Sequence, residues 1–436
     1  MWIWFGVITL AIAFQYIVPS TIGTIDGSIH NFQIPPDDLS SAGIERYLKD
    51  ALTVLFALVW PLYVGINRKA LLYYFWAFML VSFGSVAYLF HIGYFPFFIA
   101  GIRWIVNIHD AFGLYLIAKS QPPSLRTKKN LFRIIIFVLL VSIIYSFYQI
   151  WSSGSILNFG RFRAPGVFSQ AAVSGFFAAT AVFISEFVLS MRARWHRLMI
   201  YPSALALAAL SGTRFAVACI TIFIYGAITE HFRKTGALRS NGTRLAFHAI
   251  LLPILALFVL GIASALTGRG DIVSDQLNKE GRIGNGLAVA DLVIQRGEPV
   301  NFLVGMGLGQ GTNAAAQMDY PTSKSTKWQL LVDNTLITTF IQLGFVGSIW
   351  LFGGIFLFLA SRRAGFQLAP GLYFALSLVT QNLPEQIFIV LALGAYVGVR
   401  ENLWIVNWRR MAIQRRRLPA FRSGFWDVAQ GPVIAA

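Results

Sequence analysis

Five arginines and one aspartate carry the most distinctive chemistry in this sequence. Arg161 and Arg163 lie in GRFRAPGVFSQ, Arg214 lies in LSGTRFAVA, and Arg269 and Arg282 follow in a polar stretch. The first three sit near the ends of apolar runs. A guanidinium holds phosphate or carboxylate through two parallel hydrogen bonds, so several around one cavity suit a diphosphate. The competing role is structural: pairing with Asp271, Asp275 or Asp291, or reaching lipid phosphates. Asp333 opens VDNTLITTFIQLGFVG. A carboxylate there can take a proton from an acceptor hydroxyl as a general base. It can equally cap the helix that follows, since Asp and Asn are both favoured caps.

Other motifs are weaker. The run GMGLGQG covers residues 305–311 and contains Gly307 and Gly309. It is not a nucleotide-binding P-loop, which needs Lys and then Ser or Thr after the last glycine. Its glycines suit a tight turn whose N–H groups either approach an anion or serve the turn alone. Six scattered histidines form no HxxxH or HExxH pair, so no zinc site is expected. His109 and Asp110 are adjacent inside an apolar run and can form an internal polar pair. Cys219 is the single cysteine, which removes disulfide and thiolate-cluster chemistry. No G-x-S-x-G elbow supports a serine hydrolase.

The elements that must position these residues are membrane spans. Of 436 residues, 56% are hydrophobic and only 12% charged, where a soluble domain carries about 25% charged residues. Apolar runs long enough for ~30 Å of hydrocarbon predict an all-α polytopic membrane protein of about twelve spans with one large external loop. The expected spans are 1–18, 50–66, 70–90, 94–118, 131–151, 167–190, 198–211, 214–229, 245–266, 334–360, 368–383 and 386–404. The spans 198–211 and 368–383 are short for a full crossing. The N-terminal run lacks a basic leader and is expected to stay as the first span.

With the N-terminus cytoplasmic, every inside loop is basic, and the inside segments carry roughly twice the Lys and Arg of the longer outside ones. Both termini are therefore expected in the cytoplasm. The net charge of +17 reflects these loops, and no nucleic acid is expected. The organisation is 1–266 spans one to nine, 267–333 external loop, 334–404 spans ten to twelve, and 405–436 basic tail. A helix is expected near 286–297, and the tail is expected to meet anionic headgroups or serve as a topology anchor. The outward arginines run against the charge rule. Near hydrocarbon each costs up to ~2.5–3.5 kcal/mol, so each needs a partner. Arg103, Asp110 and Glu186 are the charges expected within spans.

The combination resembles the O-antigen polymerase and O-antigen ligase superfamily over the topology and residues 160–350. Arg163-Ala-Pro-Gly166-Val-Phe168 is similar to its R-x-x-G-x-F stretch, and Ser211-Gly-Thr-Arg214 to its S-x-S-R turn. Asp333-Asn334 through Leu343-Gly344 and Gly347 is similar to its H-N…L-G…G segment. Arg282 upstream of the glycine run falls in the same order. Asp333 stands where the ligases carry histidine, and Ser169-Gln170 where a Pro-Asn pair often follows; this favours the polymerase branch over the ligase.

The resemblance implies an inverting, metal-independent and cofactor-free glycosyltransferase with an undecaprenyl-diphosphate-linked glycan donor and a glycan acceptor. Arg214 and Arg282 would clamp the diphosphate and Asp333 would act as base. Arg161, Arg163, Arg269, Asn334, Gly307 and Gly309 would bind substrate. It further implies the bacterial inner membrane, a periplasmic active site, and a chain-length regulator or flippase as partner. A transporter of lipid-linked sugar or another anion, and a non-catalytic scaffold, are the readings from other classes. The first requires charges through the membrane depth, and the second requires the arginines and Asp333 to be dispensable.

Overall fold

The computed structural model describes Trp2, Gly6, Val7, Leu10, residues 44–65, 68–89, 95–153, 157–158, 161–162, 164, 166–168, 171–237, 240–267, 291, 299–310, 334–360, 367–380 and 386–417. Over these residues the regular structure is helical apart from one two-residue strand pair. The helices are α1 (Ile44–Val64), α2 (Arg68–Leu89), α3 (Phe95–Ser120), α4 (Leu125–Ser153), α5 (Ala171–Phe183), α6 (Arg194–Ser211), α7 (Arg214–Lys234), α8 (Asn241–Thr267), the short α9 (Pro299–Val304), α10 (Thr335–Ala360), α11 (Leu368–Thr380) and α12 (Ile387–Arg417). Between α4 and α5, β1 (Leu157–Asn158) and β2 (Arg161–Phe162) pair antiparallel with Asn158 opposite Arg161.

Five helical stretches are long and apolar enough to cross a membrane by length and composition: Leu71–Leu89, Leu125–Trp151, Arg214–Lys234, Thr335–Leu359 and Ile387–Arg409. Shorter apolar stretches run through Asp50–Val64, Ala172–Val188, Leu245–Leu257 and Leu368–Thr380. Large apolar side chains such as Leu62, Leu89 and Trp151 face outward, as lipid-facing residues do and soluble surfaces rarely do in such density. The helix α6 begins before the expected span and carries Pro202 inside it. Residues 1–18, apart from the four named above, lie outside the described residues, as does nearly all of 286–297.

Among the described residues the most extensive helix pairing is α3 with α12. Gly394 and Gly398 of α12 face Ala111 and Tyr115 of α3, so closely that a Cβ at Gly394 would lie 2.2 Å from the Ala111 carbonyl oxygen. Small residues four apart allow this approach in a membrane, where packing and hydrogen bonds drive helix association. At one end of the pair, Lys119 meets Glu401 at 2.7 Å and Asn402 donates to the Lys119 carbonyl at 2.7 Å. The indole of Trp2 donates to the Gln121 carbonyl at 2.9 Å nearby.

A second ionic group lies at the lower end of α5, where the helix widens into a π-turn over Ile184–Val188. Glu186, only 4% exposed, accepts two bonds from Arg197 at 2.6 and 2.8 Å. Arg192 reaches Glu230 at 2.7 Å, and Lys234 reaches Glu230 at 2.9 Å. Arg103 pairs with Asp50 at 3.1 Å. Two of the three charges expected within spans, Arg103 and Glu186, are therefore ion-paired. The third is not: Asp110 is fully buried in α3, and both of its carboxyl oxygens lack a hydrogen-bond partner. His109 does not pair with it but approaches the Ala57 carbonyl at 3.4 Å within a group of rings including Trp60, Tyr73 and Tyr74.

Candidate functional site

The loop between α4 and α5 is locked by its own glycine. Gly166 adopts φ +62°, a region open to glycine at no steric penalty. A Cβ there would lie 2.1 Å from the Ser142 hydroxyl. The Gly166 N–H donates to Gln149 Oε1 at 2.9 Å, and Gln149 Nε2 donates back to the Gly166 carbonyl at 3.1 Å. Phe168, two residues on, is buried against Phe177 of α5 with ring centroids 5.0 Å apart. The glycine and phenylalanine of R-x-x-G-x-F are thus the residues that seat the loop on α4 and α5. Arg161 has its backbone in β2, and Arg163 lies outside the described residues.

This loop touches the turn that carries Arg214. The N–H of Ala164 donates to the Leu210 carbonyl at 3.0 Å. At that turn Gly212 is left-handed (φ 60°, ψ 27°). The N–H groups of Gly212 and Thr213 bond back to Ala209 and Ala208 at 3.0 and 3.2 Å, a helix-ending pattern that satisfies orphan carbonyls. Thr213 is the N-cap and Arg214 the first residue of α7. Gly175 of α5 lies against Thr213, where a Cβ would come within 2.3 Å of the threonine Cβ. Only two residues separate α6 from α7, so the half-buried Arg214 has its backbone fixed at the positive end of the α7 dipole.

The third motif joins through α11. Asn334 caps α10: its Oδ1 accepts from the N–H groups of Leu336 and Ile337 at 2.9 and 3.2 Å. Its Nδ2 donates to the carbonyl of Val379 near the end of α11 at 2.8 Å. The helix α11 in turn packs on α7 and α10. The cap was expected of Asp333; in the structure its neighbour Asn334 makes it, and Asp333 itself lies outside the described residues. So do Arg269 and Arg282, and Asp271 and Asp275 among the alternative arginine partners; Asp291 is helical and exposed.

Gly305, Gly307 and Gly309 all have positive φ, at 79°, 100° and 89°. Their loop is buried and its N–H groups bond inward. Met306 and Gly307 donate to the carbonyls of Ile341 and Gln342 at 2.7 and 3.2 Å, and Leu308 to that of Gly84 at 3.3 Å. Gly309 donates to Gln342 Oε1 at 3.1 Å. Leu308 fills a socket between Gly84 of α2 and Gly101 of α3, and Tyr88 bonds its carbonyl at 2.5 Å. Of the two roles open to these glycines, the geometry is that of a structural plug between α2, α3 and α10. Residues 305–310 are thereby anchored inside the bundle.

Sequence reasoning overlooked two residues whose side chains hold these loops: Gln149, which clamps Gly166, and Gln342, which holds the Gly309 N–H. A signal was present for the last, because Asn334, Thr338 and Gln342 recur every four residues in a largely apolar helix and so share one face. Among the described residues no three His, Cys, Asp or Glu side chains gather as a metal site would require. No protein-family model, curated protein or solved structure matches the chain.

Proposed function

We propose that this protein is a membrane glycosyltransferase that polymerises oligosaccharide repeat units, carried on undecaprenyl diphosphate, into surface polysaccharide. The observation that carries the reading is that the first two motifs touch each other, while the third is tied to α11, a helix that packs on α7. The R-x-x-G-x-F loop bonds to the end of α6 through Ala164 and Leu210. The Ser211–Arg214 turn packs on α5, and Asn334, next to Asp333, is tied to α11. These motifs are far apart in sequence, and a scaffold has no need to bring them together.

In this reading the chain makes about twelve spans in a bacterial inner membrane, with both termini cytoplasmic and residues 267–333 periplasmic. Trp2 and Glu401 meeting the same Lys119–Gln121 stretch supports placing the two termini on one side. Arg214 and Arg282, with Arg163, hold the donor diphosphate and stabilise its charge as it leaves. Arg161 and Arg269 add positive potential around it. Asp333 takes the proton of the acceptor hydroxyl, whose oxygen attacks the anomeric carbon and displaces the lipid diphosphate with inversion. The pairing of Arg103 and Glu186 with local partners weighs against a charged path through the membrane, as a transporter would need.

Complementation tests the reading. A strain lacking the gene is restored with wild type, Arg214→Ala, Arg282→Ala or Asp333→Ala, and its surface polysaccharide is run on a gel. The expected result is polymer from wild type and single repeat units from each variant, with equal protein in the membrane. Free polymer unattached to lipid A core in the deletion strain would assign the ligase reaction instead. Unchanged polysaccharide in that strain would remove the glycosyltransferase reading.

A further inference from the structure

The face of α10 that carries Asn334, Thr338 and Gln342 is a buried polar stripe in an apolar helix. Asn334 is 5% exposed, and Thr338 and Gln342 are fully buried. Beside its inner end lies Gln310, 2% exposed, at the close of the glycine plug. Two carboxamide atoms here have no hydrogen-bond partner: Gln310 Oε1, an acceptor, and Gln342 Nε2, a donor. The other half of the Gln342 amide is used, since its Oε1 holds the Gly309 N–H at 3.1 Å. The amide orientation is therefore set by the plug, and the NH2 is left over. Leaving a buried donor and acceptor unmatched is costly, at about 1–3 kcal/mol each.

We propose that Gln310 and Gln342 form a binding subsite for a hydroxyl of the carbohydrate acceptor, an inference that rests on the glycosyltransferase reading above. A hydroxyl donates to Gln310 Oε1 and accepts from Gln342 Nε2, so one group satisfies both atoms. A neutral ligand fits, because the stripe carries amides and hydroxyls and no charge. Gln310 and Asn334 are the residues that flank segment 311–333, and Asp333, the proposed base, is bonded directly to Asn334. Gln342 lies eight residues further along, about 12 Å down the helix axis, which exceeds one sugar ring. The subsite therefore holds a sugar beyond the reacting one and selects the repeat unit rather than taking part in bond formation.

The experiment uses full-length protein in proteoliposomes, with lipid-diphosphate-linked repeat units as donor and a free repeat-unit oligosaccharide as acceptor. Gln310→Leu removes the acceptor atom. Gln342→Glu keeps an oxygen for Gly309 while replacing the donor. Each variant is expected to raise the acceptor KM about three- to tenfold, with kcat held. Unchanged KM in both would overturn the subsite, leaving buried water as the occupant and the transferase reading intact. Should Gln342→Glu fail to fold, Gln310→Leu alone decides. Binding of the same oligosaccharide is followed separately by saturation-transfer NMR. Binding that both variants weaken, in a wild-type protein without transfer activity, would keep the subsite and sink the transferase reading. Neither binding nor transfer by wild type would overturn both.

Discussion

Gly305 and Gly344 meet backbone to backbone. A Cβ built on Gly344 would lie 2.4 Å from the Gly305 nitrogen, and one built on Gly305 would lie 2.4 Å from the Gly344 nitrogen. Gly344 also breaks α10, with φ 62° and ψ −167°, so the glycine plug enters where the helix opens. Gly344→Ala should lower stability by about 2 kcal/mol or more, through both strain and overlap. A thermal melt in detergent reads this as an earlier midpoint and loss of monodisperse protein. An unchanged melt would mean the plug is not seated against α10.

Asn334 does two jobs that can be separated. Asn334→Ala should cost about 1 kcal/mol for the lost cap and further free the Val379 carbonyl. Asn334→Asp keeps the capping oxygen and loses only the donor to Val379. The melting midpoints should therefore order wild type, then Asp, then Ala. Equal midpoints for the two variants would show that the bond to α11 contributes nothing.

Asp110 is a buried carboxyl without a partner, and such a group opposes folding. Asp110→Asn should melt at the same temperature as wild type or higher, and should still yield polymer. A transporter that used Asp110 in its path would lose function in this variant, so loss of polysaccharide at normal protein level would revive that reading.

The α3–α12 contact rests on absent side chains. Gly394→Leu forces atoms into the Ala111 carbonyl, and overpacking of this kind costs about 1–3 kcal/mol. The expected result is reduced membrane accumulation and an earlier melt, partly rescued by lower growth temperature. Gly261 of α8 meets nothing within 4 Å, so Gly261→Leu serves as the control and should behave as wild type.

How far the sequence led depended on the range of the interaction. Long apolar runs predicted where most helices lie, because hydrocarbon demands length and composition. Positive φ was legible at Gly305, Gly307 and Gly309, since glycine clusters mark such turns. Their destination was not, because the Gly84–Gly101 socket for Leu308 is built by residues some two hundred positions earlier. Likewise R-x-x-G-x-F was visible as a motif, while the Gln149 side chain that clamps Gly166 gave no local sign. Residue type pointed to a cap at Asp333, one position early: the structure gives that role to Asn334, because only the fold decides which of two adjacent capping residues precedes the first helical turn. The Gly394–Gly398 spacing was readable and went unread, because the long apolar segment was taken only as a span.

The π-turn at Ile184–Val188 has a consequence for the angular bookkeeping of α5. A regular helix advances about 100° per residue, and a π-bulge inserts a residue without the matching axial rise. Everything beyond the turn is rotated relative to the face that α5 offers above it. The upper part of α5 can therefore present Gly175 to Thr213 while the lower part turns Glu186 toward Arg197. An uninterrupted α-helix would have to change one of those two headings. Deleting one residue between 184 and 188 would iron the helix straight and place the two ends of the bundle in competition for its azimuth.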